Sequence, residues 1–119
     1  MVRNEEEENL HTNMLKSMIE KLKEKNIVVI QADLEGYDKP DEISGKIPDI
    51  VGEKENKTRI IIEVETCGTI DIEHTKEQFE SFSSADGEFW VDVPKSCIDA
   101  LKAKSEEWET PVDSWWQYG

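Results

Sequence analysis

Three acidic residues stand in an apolar setting that does not usually hold acids. Asp49 lies in Ile-Pro-Asp-Ile-Val-Gly, and Glu63 and Glu65 lie in Arg-Ile-Ile-Ile-Glu-Val-Glu-Thr. Side chains alternate along an extended strand, so Glu63 and Glu65 share a face, roughly 7 Å apart along the backbone. Ile60, Ile62 and Val64 make the opposite face. Charges are seldom buried unless paired or metal-bound, so two acids on so apolar a strand need partners. Residues 47–52 and 59–66 read as antiparallel strands joined by a charged turn, in which Asn56-Lys57-Thr58 supplies the turn chemistry. An adjacent strand that brings in Asp49 would complete a cluster of three carboxylates. Such an all-oxygen donor set suits a hard divalent cation such as magnesium.

Other elements must position that cluster. Residues 4–25 read as a helix, with Leu10, Met14, Leu15, Met18, Ile19 and Leu22 in one apolar stripe. Asn4 is a candidate N-cap, the Glu5–Glu8 run suits the positive end of the helix dipole, and Lys21, Lys23 and Lys25 suit the other end. The plain reading of the glutamate run is a solvated first turn. At about 100° per residue, however, Glu7 and His11 fall within the apolar stripe. His11 reads either as a partly buried histidine or as a ligand. Asn26 ends the helix, and the continuous apolar run 27–33 suits a strand buried on both faces. Residues 34–46 form a loop broken by Gly36, Pro40 and Gly45.

After the acidic strand, Cys67-Gly68-Thr69 breaks the extended run, and a helix capped by Thr69 or Asp71 is predicted to run to residue 83. Ile72, Phe79 and Phe82 face inward on it, and it carries His74, Lys76 and Gln78. Asp86-Gly87 is a turn, residues 88–93 are a strand ended by Pro94, and residues 96–107 are a helix with Ile98, Leu101 and Cys97 inward.

Pro48-Asp49 on one strand and Glu63-x-Glu65 on the next resemble the motif of the PD-(D/E)XK nuclease superfamily. The order helix, strand, strand, strand, helix, strand is similar to its αβββαβ restriction-endonuclease-like core, and it covers most of the chain. Glu65 stands where that family usually has lysine; some of its restriction enzymes carry Glu-x-Glu there. The resemblance implies an α/β fold with a mixed four-stranded sheet flanked by helices, here followed by an extra C-terminal helix. It implies a metal-dependent phosphodiesterase acting on DNA. Asp49, Glu63 and Glu65 would be its catalytic residues and its ligands to magnesium or manganese. It implies an accessory role for Glu7, with Glu8 second, as the helix glutamate beside the metal, and for Gln78 as the glutamine of the second helix. Lys76 is either a solvated helix lysine or a phosphate contact that partly replaces the missing motif lysine; His74 is read in the same two ways. Without the motif lysine, such a site leans on a second metal ion. The competing reading is a catalytically inactive nuclease-like fold that serves as a protein-interaction module.

With 119 residues the chain is long enough for one domain with a single core. We read residues 1–107 as that domain and residues 108–119 as an aromatic tail. Net charge is −14, made up of −4 over residues 1–60 and −10 over residues 61–119. Nucleic-acid binders normally carry a basic surface. Any phosphate-binding patch must therefore come from Lys46, Lys54, Lys57, Arg59 and Lys76. No run approaches the ~20 apolar residues of a membrane span, and the N-terminus lacks an apolar stretch of signal-peptide type. A cytoplasmic protein with no membrane partner is expected, and in that setting Cys67 and Cys97 are expected to be reduced and mostly buried thiols. The tail holds Trp108, Trp115, Trp116 and Tyr118. It is expected to pack on its own domain, to form a homodimer contact, or to stack on bases; its acidity disfavours the last.

Overall fold

A computed structural model describes residues 4–70 and 72–119. Helix α1, Glu5–Glu24, begins where expected: the Asn4 side chain accepts a hydrogen bond from the Glu7 N–H at 2.8 Å. It ends at Lys25, after which Asn26 adopts a left-handed φ of 59° and the Ile27 N–H returns to the Leu22 carbonyl at 2.9 Å. Its apolar stripe, Met14, Leu15, Met18, Ile19 and Leu22, is fully buried.

Five strands follow: β1 Val28–Ala32, β2 Ile50–Glu53, β3 Arg59–Val64, β4 Glu88–Pro94 and β5 Ser114–Tyr118. They form one sheet in chain order, β1-β2-β3-β4-β5. The first three make an antiparallel meander, with Ile50 opposite Ile62, as expected for the acidic hairpin. β4 is parallel to β3, and β5 is parallel to β4. Parallel neighbours need a crossover, and helices α2, Glu73–Ser83, and α3, Ile98–Glu107, supply the two. The class is therefore α/β with a mixed sheet, but the sheet has five strands where four were expected.

The fifth strand is the aromatic tail, packed on its own chain. Trp116 stacks on Trp90 at 5.6 Å between ring centroids, under the Lys21 and Lys25 ammonium groups at 5.9 and 5.4 Å. Trp115 lies on the opposite face against the second core, and both tryptophans are half-buried. A tail with alternating aromatic faces can be covered on both sides only inside a layered sheet.

The sheet separates two cores. On one face, the α1 stripe packs on Ile50, Ile60, Ile62, Val64 and Trp90. On the other, Phe79 and Phe82 of α2 and Ile98 and Leu101 of α3 pack on Ile61, Phe89, Val91 and Val93. The second layer does not extend over β1, which lies at the edge of the sheet. Val28 and Ile30 are consequently 60% and 45% exposed, which corrects the expectation of a strand buried on both faces.

The cysteines also require correction. Cys67 and Cys97 are not free thiols but form a disulfide, with Cα atoms 5.8 Å apart. Val64 and Asp92 are register partners in the parallel pair β3–β4, so the chains leaving these two strands emerge side by side. Each cysteine lies in a short 3₁₀ turn just beyond its strand, Cys67–Thr69 and Lys95–Cys97. The first of these turns takes Thr69, so α2 starts later than expected. Its N-cap is Ile72, with no side-chain cap, and the alternative cap Asp71 lies outside the described residues.

Candidate acidic site

The acidic residues meet where β3 ends beside the start of β2. Asp49 immediately precedes β2, and its carbonyl accepts from the Asp33 N–H at 2.9 Å, which ties it to the end of β1. Its carboxylate turns toward β3. Oδ2 accepts the Val64 N–H at 2.8 Å, and Oδ1 faces His11 Nε2 at 3.3 Å. Glu63 reciprocates: its Oε1 accepts the Asp49 N–H at 3.2 Å. The two acids thus brace one another's strands through the backbone.

Glu65 lies one residue beyond β3 and still pairs with β4, its N–H donating to the Asp92 carbonyl at 2.9 Å. Its Oε1 accepts the Thr69 hydroxyl at 2.7 Å and the Thr75 hydroxyl at 3.4 Å. Thr75 in turn anchors on Thr69, donating to its carbonyl from the hydroxyl at 2.6 Å. Only 1% of Glu63 and 2% of Glu65 is exposed. Burial raises the Glu63 pKa well above the ordinary glutamate value, and the charges of Asp49 and Glu65 push it the same way; the Asp49 N–H opposes them. Three acids crowded in this way favour a proton, or a cation, on Glu63.

Asp49, Glu63 and Glu65 line a small, mainly polar cavity of about 80 Å³ together with His74, Thr75 and Gln78. The sequence reading therefore reached most of the lining, including Gln78. His11 is buried against Asp49 from the α1 side. Glu7 is outside the cavity lining but adjacent through Thr66, whose hydroxyl donates to its Oε2 at 3.1 Å. The Glu7 carboxylate lies directly over Gly68, where any β-carbon would collide with it. Glu8, one position along, is exposed. Thr66 and Thr75 were not anticipated, and Thr69 was expected only as a helix cap. Their only sequence signal was three hydroxyl residues soon after the acidic strand, a pattern too common to stand out.

The basic residues expected to meet phosphate are mostly occupied elsewhere. Lys46 pairs with Glu77 at 3.3 Å, Lys57 with Glu53 at 3.5 Å and Lys54 with Glu88 at 2.5 Å. Arg59 donates to the Asp86 carbonyl at 3.0 Å. Among the described residues the Lys76 ammonium makes no ion pair or hydrogen bond, but Lys76 does not line the cavity.

The donor chemistry of Asp49, Glu63 and Glu65 fits magnesium or manganese: all oxygen, anionic and like-charged. Their present orientations do not form a coordination sphere; among the described residues no three His, Cys, Asp or Glu side chains are arranged as a metal site. The geometry accounts for this, since four of the oxygens' contacts go to backbone N–H groups and threonine hydroxyls. No helix among the described residues is long and apolar enough to cross a membrane. The chain matches no protein-family model, no curated protein and no solved structure.

Proposed function

We propose that the chain is a metal-dependent phosphodiesterase acting on DNA, of the PD-(D/E)XK kind, with Asp49, Glu63 and Glu65 as its acidic centre. The observation that carries this reading is the convergence of these three carboxylates in one polar cavity at a sheet end, with Glu63 buried among like charges. The order α1-β1-β2-β3-α2-β4 supports it as well. Asp49 and Glu63 would hold a magnesium or manganese ion, whose chemistry is to polarise the phosphate and lower the pKa of bound water. Glu65 would bind a second metal ion or accept a proton from the attacking water, and the Thr69 and Thr75 hydroxyls steady its carboxylate. His11, with Nε2 3.3 Å from Asp49 Oδ1, would help to orient that carboxylate.

A second reading, a nuclease-like module that binds protein and does no chemistry, is favoured by the basic residues. A chain of net −14 in which three of five candidate phosphate contacts, Lys46, Lys54 and Lys57, are paired with its own acids has little left to hold DNA. Purified protein assayed on single-stranded, duplex and branched DNA, with magnesium and with manganese, decides between them. The nuclease reading expects cleavage that needs metal and is abolished in Glu63→Ala. Metal binding measured by calorimetry without cleavage of any substrate favours the module, and equal metal binding by wild type and Asp49→Ala removes the acidic-centre assignment.

A further inference from the structure

We infer that the Cys67–Cys97 disulfide is a reversible redox latch on the acidic cavity, opened by a dithiol reductant and closed by disulfide exchange. The inference takes this cavity as the working site, as the preceding reading does, and adds how it is regulated.

The position of the bond is the first reason. Cys67 is two residues after Glu65 and opens the turn Cys67–Thr69, which supplies the Thr69 hydroxyl to Glu65. The same turn places the Thr69 carbonyl that receives the Thr75 hydroxyl, and it carries Gly68, on which the Glu7 carboxylate rests. Any shift of Cys67 therefore moves the hydroxyls that fix Glu65 and the surface that supports Glu7. The disulfide also spans 30 residues, from the end of β3 through α2 to just beyond β4. His74, Thr75 and Gln78, which form the α2 wall of the cavity, lie within that covalent loop.

The second reason is that hydroxyl contacts among Thr66, Thr69 and Thr75, rather than helix caps, hold this segment. Neither the turn nor α2 has a side-chain cap at its start. Helix starts without caps leave N–H groups unsatisfied and fray readily. The disulfide, with the Ser96 hydroxyl 3.5 Å from Cys67 Sγ beside it, tethers the turn to the second crossover.

The third reason is access. Cys67 is exposed, whereas Cys97 is only 8% exposed. A thiolate can attack the outer sulfur: its sulfur bonds to Cys67 Sγ, the Cys67–Cys97 bond breaks, and Cys97 leaves as a thiolate and takes a proton from solvent. The second thiol of the dithiol then displaces Cys67 from the mixed disulfide. The dithiol departs oxidised, and the protein has gained two electrons and two protons. The reverse exchange closes the latch.

The test is amide hydrogen exchange on the full chain, oxidised and after reduction with dithiothreitol, with a Cys67→Ser/Cys97→Ser variant under both conditions. Reduction is expected to speed exchange at residues 65–69 and 72–76 by tenfold or more, leaving β1 and β2 unchanged, and re-oxidation with oxidised glutathione should restore protection. The double variant should exchange like the reduced protein whatever the redox condition. The proposal is overturned if the protein purified without reductant carries two alkylatable thiols, if exchange at 65–76 is insensitive to reduction, or if reduction unfolds the whole chain. None of these readouts depends on DNA cleavage. A chain that cleaves no DNA in either redox state loses the nuclease reading while the exchange result stands.

Discussion

Two buried acids behave differently because their surroundings differ. Glu63 sits among partners that can accept a change of charge; Asp92 does not. Asp92, on β4, is fully buried on the α1 face, and neither of its carboxylate oxygens makes a hydrogen bond of good geometry among the described residues. The indole N–H of Trp116, its register partner, is likewise unbonded there. Burial pushes the Asp92 pKa up to about 6, only partly offset by the charge of Lys21 and the Val93 N–H. Because the folded value lies above the ordinary 3.8, the stability it contributes is complete at pH below ~4 and is lost as pH rises through about 6. The whole span corresponds to at most about 3 kcal/mol. Asp92→Asn, which cannot ionise, should match wild type near pH 4 and exceed it in stability above pH 7, as measured by urea unfolding across pH. Equal pH profiles would show that Asp92 finds a partner in solution. Glu63 offers a second test. Glu65→Lys removes one of the like charges that raise its pKa and adds an opposite one. The Glu63 carboxyl, followed by carbon NMR, should then titrate at lower pH than in wild type.

The tail is the element whose role changed most between sequence and structure. As a strand it covers the edge that β4 would otherwise present, and its alternation sends Trp116 to the α1 core and Trp115 to the α2–α3 core. Trp116 stacks on Trp90 and carries two lysines over its ring. Trp116→Ala should cost about 2–3 kcal/mol, below the range for a fully buried tryptophan because the ring is only half-buried. Denaturant unfolding measures that loss. A change under ~0.5 kcal/mol would mean that β5 is not docked as described.

At the scale of the whole molecule, charge sets the strongest constraint on function. A body of net −14 repels a polyanion, and Lys46, Lys54 and Lys57 are paired with Glu77, Glu88 and Glu53. If the chain cleaves DNA, the reaction should weaken only modestly between 50 and 200 mM salt, because counterion release scales with the few phosphate contacts available and salt also screens the repulsive background. Lys76→Ala should reduce it further, since among the described residues the Lys76 ammonium, unlike those of Lys46, Lys54 and Lys57, is not held by an acid. Cleavage that falls by about 10³-fold or more across that salt range, or is unchanged by Lys76→Ala, would rule out this small basic patch as the DNA contact.

The acidic centre was legible in the sequence because it depends on local rules. Strand alternation put Glu63 and Glu65 on one face, helical spacing singled out His11 and Glu7 over Glu8, and the family resemblance implied Asp49 opposite the two glutamates. The same rules yielded α1, its cap at Asn4, and the order of the first six elements. What the tertiary structure decided was long-range. Whether residues 27–33 were an inner or an edge strand depended on which helices reached them, and no pattern within that run records this. The tail became a fifth strand because β4 had a free edge. The two cysteines bonded because a parallel pairing brought the ends of β3 and β4 together across 30 residues. The threonines around Glu65 became its hydrogen-bond partners only once the turn and α2 closed over it. Periodicity and spacing act over a few residues, whereas edges, disulfides and the partners of a buried charge are fixed by which distant segments pack together.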